Sequence, residues 1–212
     1  MDVARQKSTF IGDPSTRESI LKCAWEEIDN FGIIGLRLSS VAEKAQISVP
    51  LIYKYFEDRD GLLAVVLGDW YQEFVFRYRK MIDEWIDNAQ SITLEEFAQL
   101  SPKPSAGIMK TDREFRLKVL ATALENPQLH TRVKQITNEA HKWGEETIDK
   151  ALLKLPENDR NFDRRIFTWL LFNTMYVFND MLEMNPIQNE EYMEFLIDLI
   201  RASSITRTVT IN

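Results

Sequence analysis

The segment Ser48-Val49-Pro50-Leu51-Ile52-Tyr53-Lys54-Tyr55-Phe56 gathers side chains suited to chemistry on a surface. The hydroxyls of Ser48, Tyr53 and Tyr55 and the Lys54 ammonium are donors of the kind that bind phosphate oxygens and base edges. Ile52 and Phe56 are four residues apart and so share one side of a helix. With Ile47 they can face inward, leaving Ser48, Val49, Leu51, Tyr53, Lys54 and Tyr55 for the outer and flanking surfaces. A helix presenting such a face fits a DNA major groove about 12 Å wide. The same spacing also describes a plain helical subdomain with a polar face, and spacing alone does not separate the two.

Catalytic chemistry finds little support. There is no P-loop, G-x-G-x-x-G, G-x-S-x-G or H-E-x-x-H pattern, so the chain reads as a non-enzyme. His130 and His141 lie eleven residues apart, about 16 Å along a helix at about 1.5 Å per residue, too far to share one metal ion. Cys23 is the single cysteine, which excludes an internal disulfide, and it lies among core positions. No cofactor and no metal are expected.

The elements that must position the segment are helical. Ser15 and Glu18 form an S-x-x-E box at the head of a first helix, whose apolar face reads Leu21, Ala24, Trp25, Ile28 and Phe31. Gly32 ends it as a left-handed stop. A second helix fits 38–45 with Val41, Ala42 and Ala45 on one face, and Gln46-Ile47 is a turn. Ser48 caps a third helix with Pro50 in its first turn. Glu57-Asp58 caps a fourth, helical in pattern from Arg59 to about Trp85 with Gly68 as an interior weak point. Further helices fit 112–125, 128–154, 161–184 and 188–203, broken at Asn126-Pro127, Leu155-Pro156 and Asn185-Pro186. The clear loop is 100–107, and the tail 206–212 alternates weakly. The expected fold is all-α, with an N-terminal three-helix helix-turn-helix domain (1–60) and a larger helical domain (61–212).

Composition agrees. The 212 residues hold 44% hydrophobic and 28% charged residues with only 7 Gly and 7 Pro, which suits a helical globular protein. No uninterrupted apolar stretch approaches the roughly 20 residues of a membrane span, and the N-terminus has no signal-peptide pattern, so a cytoplasmic protein without a membrane partner is expected. The net charge of −7 argues against a general polyanion binder. Residues 1–60 hold 8 Lys and Arg against 10 Asp and Glu, so nucleic-acid binding must rest on local placement of charge.

The run 45–56, followed by Asp58-Arg59-Asp60 and Leu62-Leu63, resembles the DNA-binding signature of the tetracycline-repressor (TetR) family. Ile20-Leu21, Ala24, Phe31-Gly32 and Val41-Ala42 sit where that family places core residues. The resemblance covers about residues 15–65. It implies phosphate contacts from Thr16, Arg17, Ser39, Ser40 and Arg59, and groove contacts from Ser48, Val49 and Leu51, the last against a thymine methyl. Tyr53, Lys54 and Tyr55 are implied at backbone or base edges. Gln46 stands where a turn glycine is usual, Arg37 where threonine is common, Leu51 where a small or hydroxylated residue is frequent, and Arg59 where lysine is common.

The larger domain is rich in aromatics. Trp70, Phe74, Phe97, Leu120, Trp143, Phe172, Asn173 and Tyr176 are candidates to line a mostly apolar pocket, though for any one of these aromatics taken singly a core position is the better reading. Between Ile166 and Leu182 apolar residues cover almost the whole helix circumference, which requires burial all round. We expect a homodimer through Ile166, Leu170, Val177, Met181, Phe195 and Leu199, the alternative being one large core helix inside a monomer. The resemblance implies a ligand-responsive dimeric repressor. It would be released from a pseudo-palindromic double-stranded DNA operator by a small hydrophobic or aromatic effector. A helical adaptor or an all-helical enzyme without a known motif are the competing classes.

Overall fold

The computed structural model describes residues 14–100, 110–159 and 189–206. Among them every regular element is a helix. The chain divides into two compact units, one of Met1–Trp70 with Thr122–Arg132 and one of Tyr71–Ala121 with Val133–Asn212.

The first unit opens with α1 (Pro14–Gly35). Pro14 already lies in the helix, so Ser15 falls inside the first turn and not at the N-cap. A proline is tolerated there because its missing N–H would have had no helical partner. The buried stripe is Ile20, Cys23, Ala24, Glu27 and Ile28. It is turned by about one residue from the expected face: Leu21 and Trp25 are half-buried, and Phe31 is 66% exposed. Gly32 breaks the helix as expected, with φ 74° and ψ 171°, and one short turn follows.

Helix α2 (Leu38–Lys44) buries Val41 and Ala42. The turn to α3 passes through Gln46 at φ 55°, a left-handed conformation that disfavours any residue with a Cβ. Replacing Gln46 with Gly relieves that strain at the price of some chain entropy. Q46G should therefore raise stability by about 0.5–1 kcal/mol, read as a higher thermal midpoint; an unchanged or lowered midpoint refutes the strain.

Helix α3 (Val49–Phe56) has Ser48 at its N-cap, but the Ser48 side chain makes no capping bond. Between α3 and α4 (Arg59–Phe76) the chain makes a γ-turn. Glu57 adopts φ 66° and ψ −57°, and the Asp58 N–H donates to the Phe56 carbonyl at 2.7 Å. The Asp58 carboxylate then caps α4 by accepting the Gly61 N–H at 2.7 Å.

Helix α4 runs through Gly68 without a break. A Cβ there would lie 2.3 Å from Cδ of Arg132, so the glycine makes room for that side chain to cross the helix. Arg132 donates to the Val65 carbonyl at 3.2 Å and pairs with Asp69. Helix α4 ends at Phe76 and not near Trp85; a turn at Arg77-Tyr78 separates it from α5 (Arg79–Asn88). Asn126 caps the helix it precedes by accepting the Leu129 N–H at 2.9 Å, and its amide donates to the Asp60 carbonyl at 2.9 Å.

In the second unit α6 (Leu94–Ala98) carries a complete capping box between Thr93 and Glu96. Helices α7 (Lys110–Glu125) and α8 (Pro127–Leu152) belong partly to each unit. A 3-10 turn at Glu157–Asp159 and α9 (Asn189–Thr206) complete the described chain. Ile86, Ile92, Phe97, Ile148, Leu155 and Leu196 centre one buried cluster. Lys154 closes α5 by donating to the carbonyls of Ile86, Asp87 and Ala89. Among the described residues no helix is long and apolar enough to cross a membrane. The expected helix 161–184, the loop 101–107 and the tail 207–212 lie outside the described residues.

Candidate nucleic-acid interface

Helix α3 divides its side chains as its spacing requires. Ile52 is fully buried and Phe56 nearly so. On the other side Ser48, Tyr53 and Lys54 are exposed, Tyr53 by 48%, while Val49, Leu51 and Tyr55 are half-buried at the flanks. The Tyr55 ring sits 6.2 Å from that of Phe56. Two inward anchors thus hold an outward row of hydroxyls and an ammonium group.

The flanking candidates divide into exposed and engaged groups. Arg17 is exposed at the start of α1, its guanidinium 5.5 Å above the Phe56 ring, so a cation stands beside the end of α3. Thr16 is half-buried and Ser39 exposed. Ser40 is half-buried and hydrogen-bonds the Glu27 carboxylate. Arg59 is occupied by protein: its Nη2 donates to the Ile33 and Ile34 carbonyls at 2.9 and 3.1 Å, and its Nε to the Leu36 carbonyl at 3.1 Å.

Sequence reasoning missed Glu27 and Lys44. Glu27 is only 2% exposed, and its carboxylate meets Lys44 Nζ at 2.7 Å, tying α1 to α2. The Lys44 hydrogen bond, helped by Ser40, holds the Glu27 carboxyl below the usual carboxylate range against the opposing effect of burial. Its position offered a signal: Glu27 falls at the spacing of Ile20, Ala24 and Ile28 on the buried face.

The candidates of the second domain have scattered surroundings. Phe97 belongs to the buried cluster. Phe74 is buried with the guanidinium groups of Arg77 and Arg116 each 5.9 Å from its ring. Trp143 donates to Asp83 at 2.9 Å and meets Phe76 edge-on. Leu120 is half-buried; Trp70, also half-buried, belongs to the first unit. Phe172, Asn173 and Tyr176 lie outside the described residues. An open cleft of about 600 Å³ is walled by residues 90–95 and 153–156 with Asp159 and Arg201, and holds none of these candidates. On α9, Phe195 and Leu199 are 64% and 44% exposed, while Met193, Leu196 and Ile200 face the core. Ile166, Leu170, Val177 and Met181 lie outside the described residues.

Two short helices meeting through a tight turn, with the second braced from within and polar without, form a helix-turn-helix. Residues 20–66 match the family described as bacterial regulatory proteins, tetR family. The HTH-type transcriptional regulator BetI of Stenotrophomonas maltophilia (strain R551-3) is 31% identical over 70 residues, 32% of this chain and 36% of BetI. That alignment spans about a third of the curated relative's length. A TetR-family regulator from Mesorhizobium loti MAFF303099 shares the fold at TM-score 0.62 and 18% identity, over 92% of this chain and 98% of that one. FadR from Bacillus subtilis, solved in complex with stearoyl-CoA, shares it at TM-score 0.51 and 17% identity, over 88% and 98% of the chains. The sequence similarity to the tetR family is thus carried by residues 20–66, and the likeness to the solved TetR-family structures is one of fold.

Proposed function

We propose that this chain binds duplex DNA as a cytoplasmic homodimer with α3 in the major groove, and that a small hydrophobic effector releases it from a pseudo-palindromic operator. The observation that carries the reading is the division of α3, with Ile52 and Phe56 buried and Ser48, Tyr53 and Lys54 turned outward. Val49, Leu51 and Tyr55 flank that row and supply apolar and hydroxyl contact at the groove walls. Arg17, Thr16 and Ser39 are candidates for phosphate. The exposed pair Phe195 and Leu199 on α9 supports a second copy as partner, since two large apolar side chains four residues apart favour a covered face. A hydrophobic effector is supported by the aromatic content of the second domain and by the acyl-CoA bound to FadR.

A duplex selected on this chain from a random-sequence pool tests the DNA reading. Affinity should fall with salt, and K54Q should flatten the dependence by about 1.8 in the log–log slope, about 0.9 for one phosphate contact from each of the two protomers. A wild-type slope of zero, or failure to enrich any duplex, refutes it. A monomeric mass at micromolar concentration refutes the dimer, and repression falls if no apolar ligand shifts both the melting midpoint and duplex release.

A further inference from the structure

We infer that Arg59 is a positioning residue that sets the angle of α3 through backbone carbonyls, and that it does not bind phosphate; this rests on the DNA-binding reading. The break at Gly32 leaves carbonyls at the end of α1 without helical partners. Arg59 donates to three carbonyls that follow the break, those of Ile33 (which also takes the Leu36 N–H at 3.4 Å), Ile34 and Leu36, at 2.9–3.1 Å. A cation placed there also opposes the negative end of the helix dipole. The remaining nitrogen, Nη1, faces the Asp60 carboxylate at 3.8 Å, so Nη2 and Nε are engaged by backbone and the outer edge of the guanidinium pairs with an acid while 39% of the side chain reaches solvent.

The location gives this contact its consequence. Leu36 immediately precedes Arg37, the N-cap of α2, while Arg59 begins α4 just after the γ-turn that ends α3. One side chain therefore joins the entry of the helix-turn-helix to its exit. The planar fork matters because donors spread over its edges reach carbonyls on different residues together, which the single ammonium of lysine cannot reproduce. Without the fork, α3 samples orientations that do not fit a groove, and apparent affinity falls with the competent fraction.

The test compares wild type, R59K and R59Q on the selected duplex and on a scrambled duplex of equal length, at a temperature where circular dichroism shows each variant folded. Expected are a loss of about tenfold for R59K on the selected duplex, a similar or larger loss for R59Q, unchanged binding to the scrambled duplex, and an unchanged salt slope. Faster amide exchange at Leu36, whose N–H bonds the Ile33 carbonyl, should accompany the loss. Wild-type affinity in R59K, with R59Q weakened on both duplexes and its slope reduced by about 1.8 (one phosphate per protomer of the dimer), makes Arg59 a phosphate ligand and overturns the proposal. Unchanged selected-duplex affinity in both variants leaves only a structural brace and overturns it too. If wild type itself prefers no duplex, the DNA reading fails first, whatever the exchange data show.

Discussion

Replacing Gly61 with Ala should lower the stability of the first unit by about 3 kcal/mol or more, a fall in thermal midpoint on the order of 10 °C. A Cβ at this position would stand 1.9 Å from the Phe56 carbonyl oxygen and 3.1 Å from its carbon. No rotamer change relieves such an overlap, because the obstacle is backbone. That oxygen is also the acceptor of the γ-turn, taking the Asp58 N–H at 2.7 Å, and the Gly61 N–H is the one capped by Asp58. A methyl group must therefore push apart the end of α3 and the start of α4. Gly32→Ala is the informative comparison. Gly32 has a positive φ but nothing within 4 Å of its would-be Cβ, so its cost is conformational alone, about 1–3 kcal/mol for φ 74° and ψ 171°, a region that is essentially glycine-only. If chemical denaturation gives the two variants equal stabilities, the close approach at Gly61 does not govern this junction.

These glycines also mark how far the sequence could be read. The inward placement of Ile52 and Phe56 was legible because helical periodicity leaves little choice once Pro50 sets the start of α3. The break at Gly32 was legible because few residues other than glycine take that conformation readily. The stripe of α1 was misjudged by about one position because Glu27 sits in it: an acidic residue reads as surface until a partner seventeen positions away is known to neutralise it. Arg59 was legible as a cation at a helix start, but its carbonyl partners lie 23–26 residues upstream and are defined by the break after α1. The use of Gly68 to admit the crossing side chain of Arg132 was not legible, because that side chain comes from far along the chain. The end of α4 at Phe76 carries no glycine or proline, so periodicity ran on past it. Phe97 shows the limit for a ligand pocket, since an aromatic in a core and one on a cavity wall obey the same helical spacing.

Glu27→Ala should cost about 2–3 kcal/mol at neutral pH, because it empties a buried site and strands the partner of an ion pair. The lower part of the usual range applies because 36% of the Lys44 side-chain surface reaches solvent, so the orphaned ammonium can swing into water. Glu27→Gln separates charge from shape: it fills the volume and can still accept from Lys44, so a smaller loss of about 1–2 kcal/mol is expected. The pH dependence fixes the assignment. The folded-state pKa of Glu27 lies below its unfolded value, chiefly through the Lys44 hydrogen bond, so its contribution is present above the unfolded pKa and is lost as pH falls through the folded one. Lys44 is shifted upward by the same bond, so its share holds below its unfolded pKa and disappears as pH rises through the folded value. The stability gap between wild type and Glu27→Gln should therefore be widest near neutrality and close on acidification, once Glu27 takes a proton and becomes as neutral as glutamine. Denaturant titrations at several pH values read that gap directly. A gap that stays constant into acid would mean that packing at position 27, and not the ion pair with α2, braces α1.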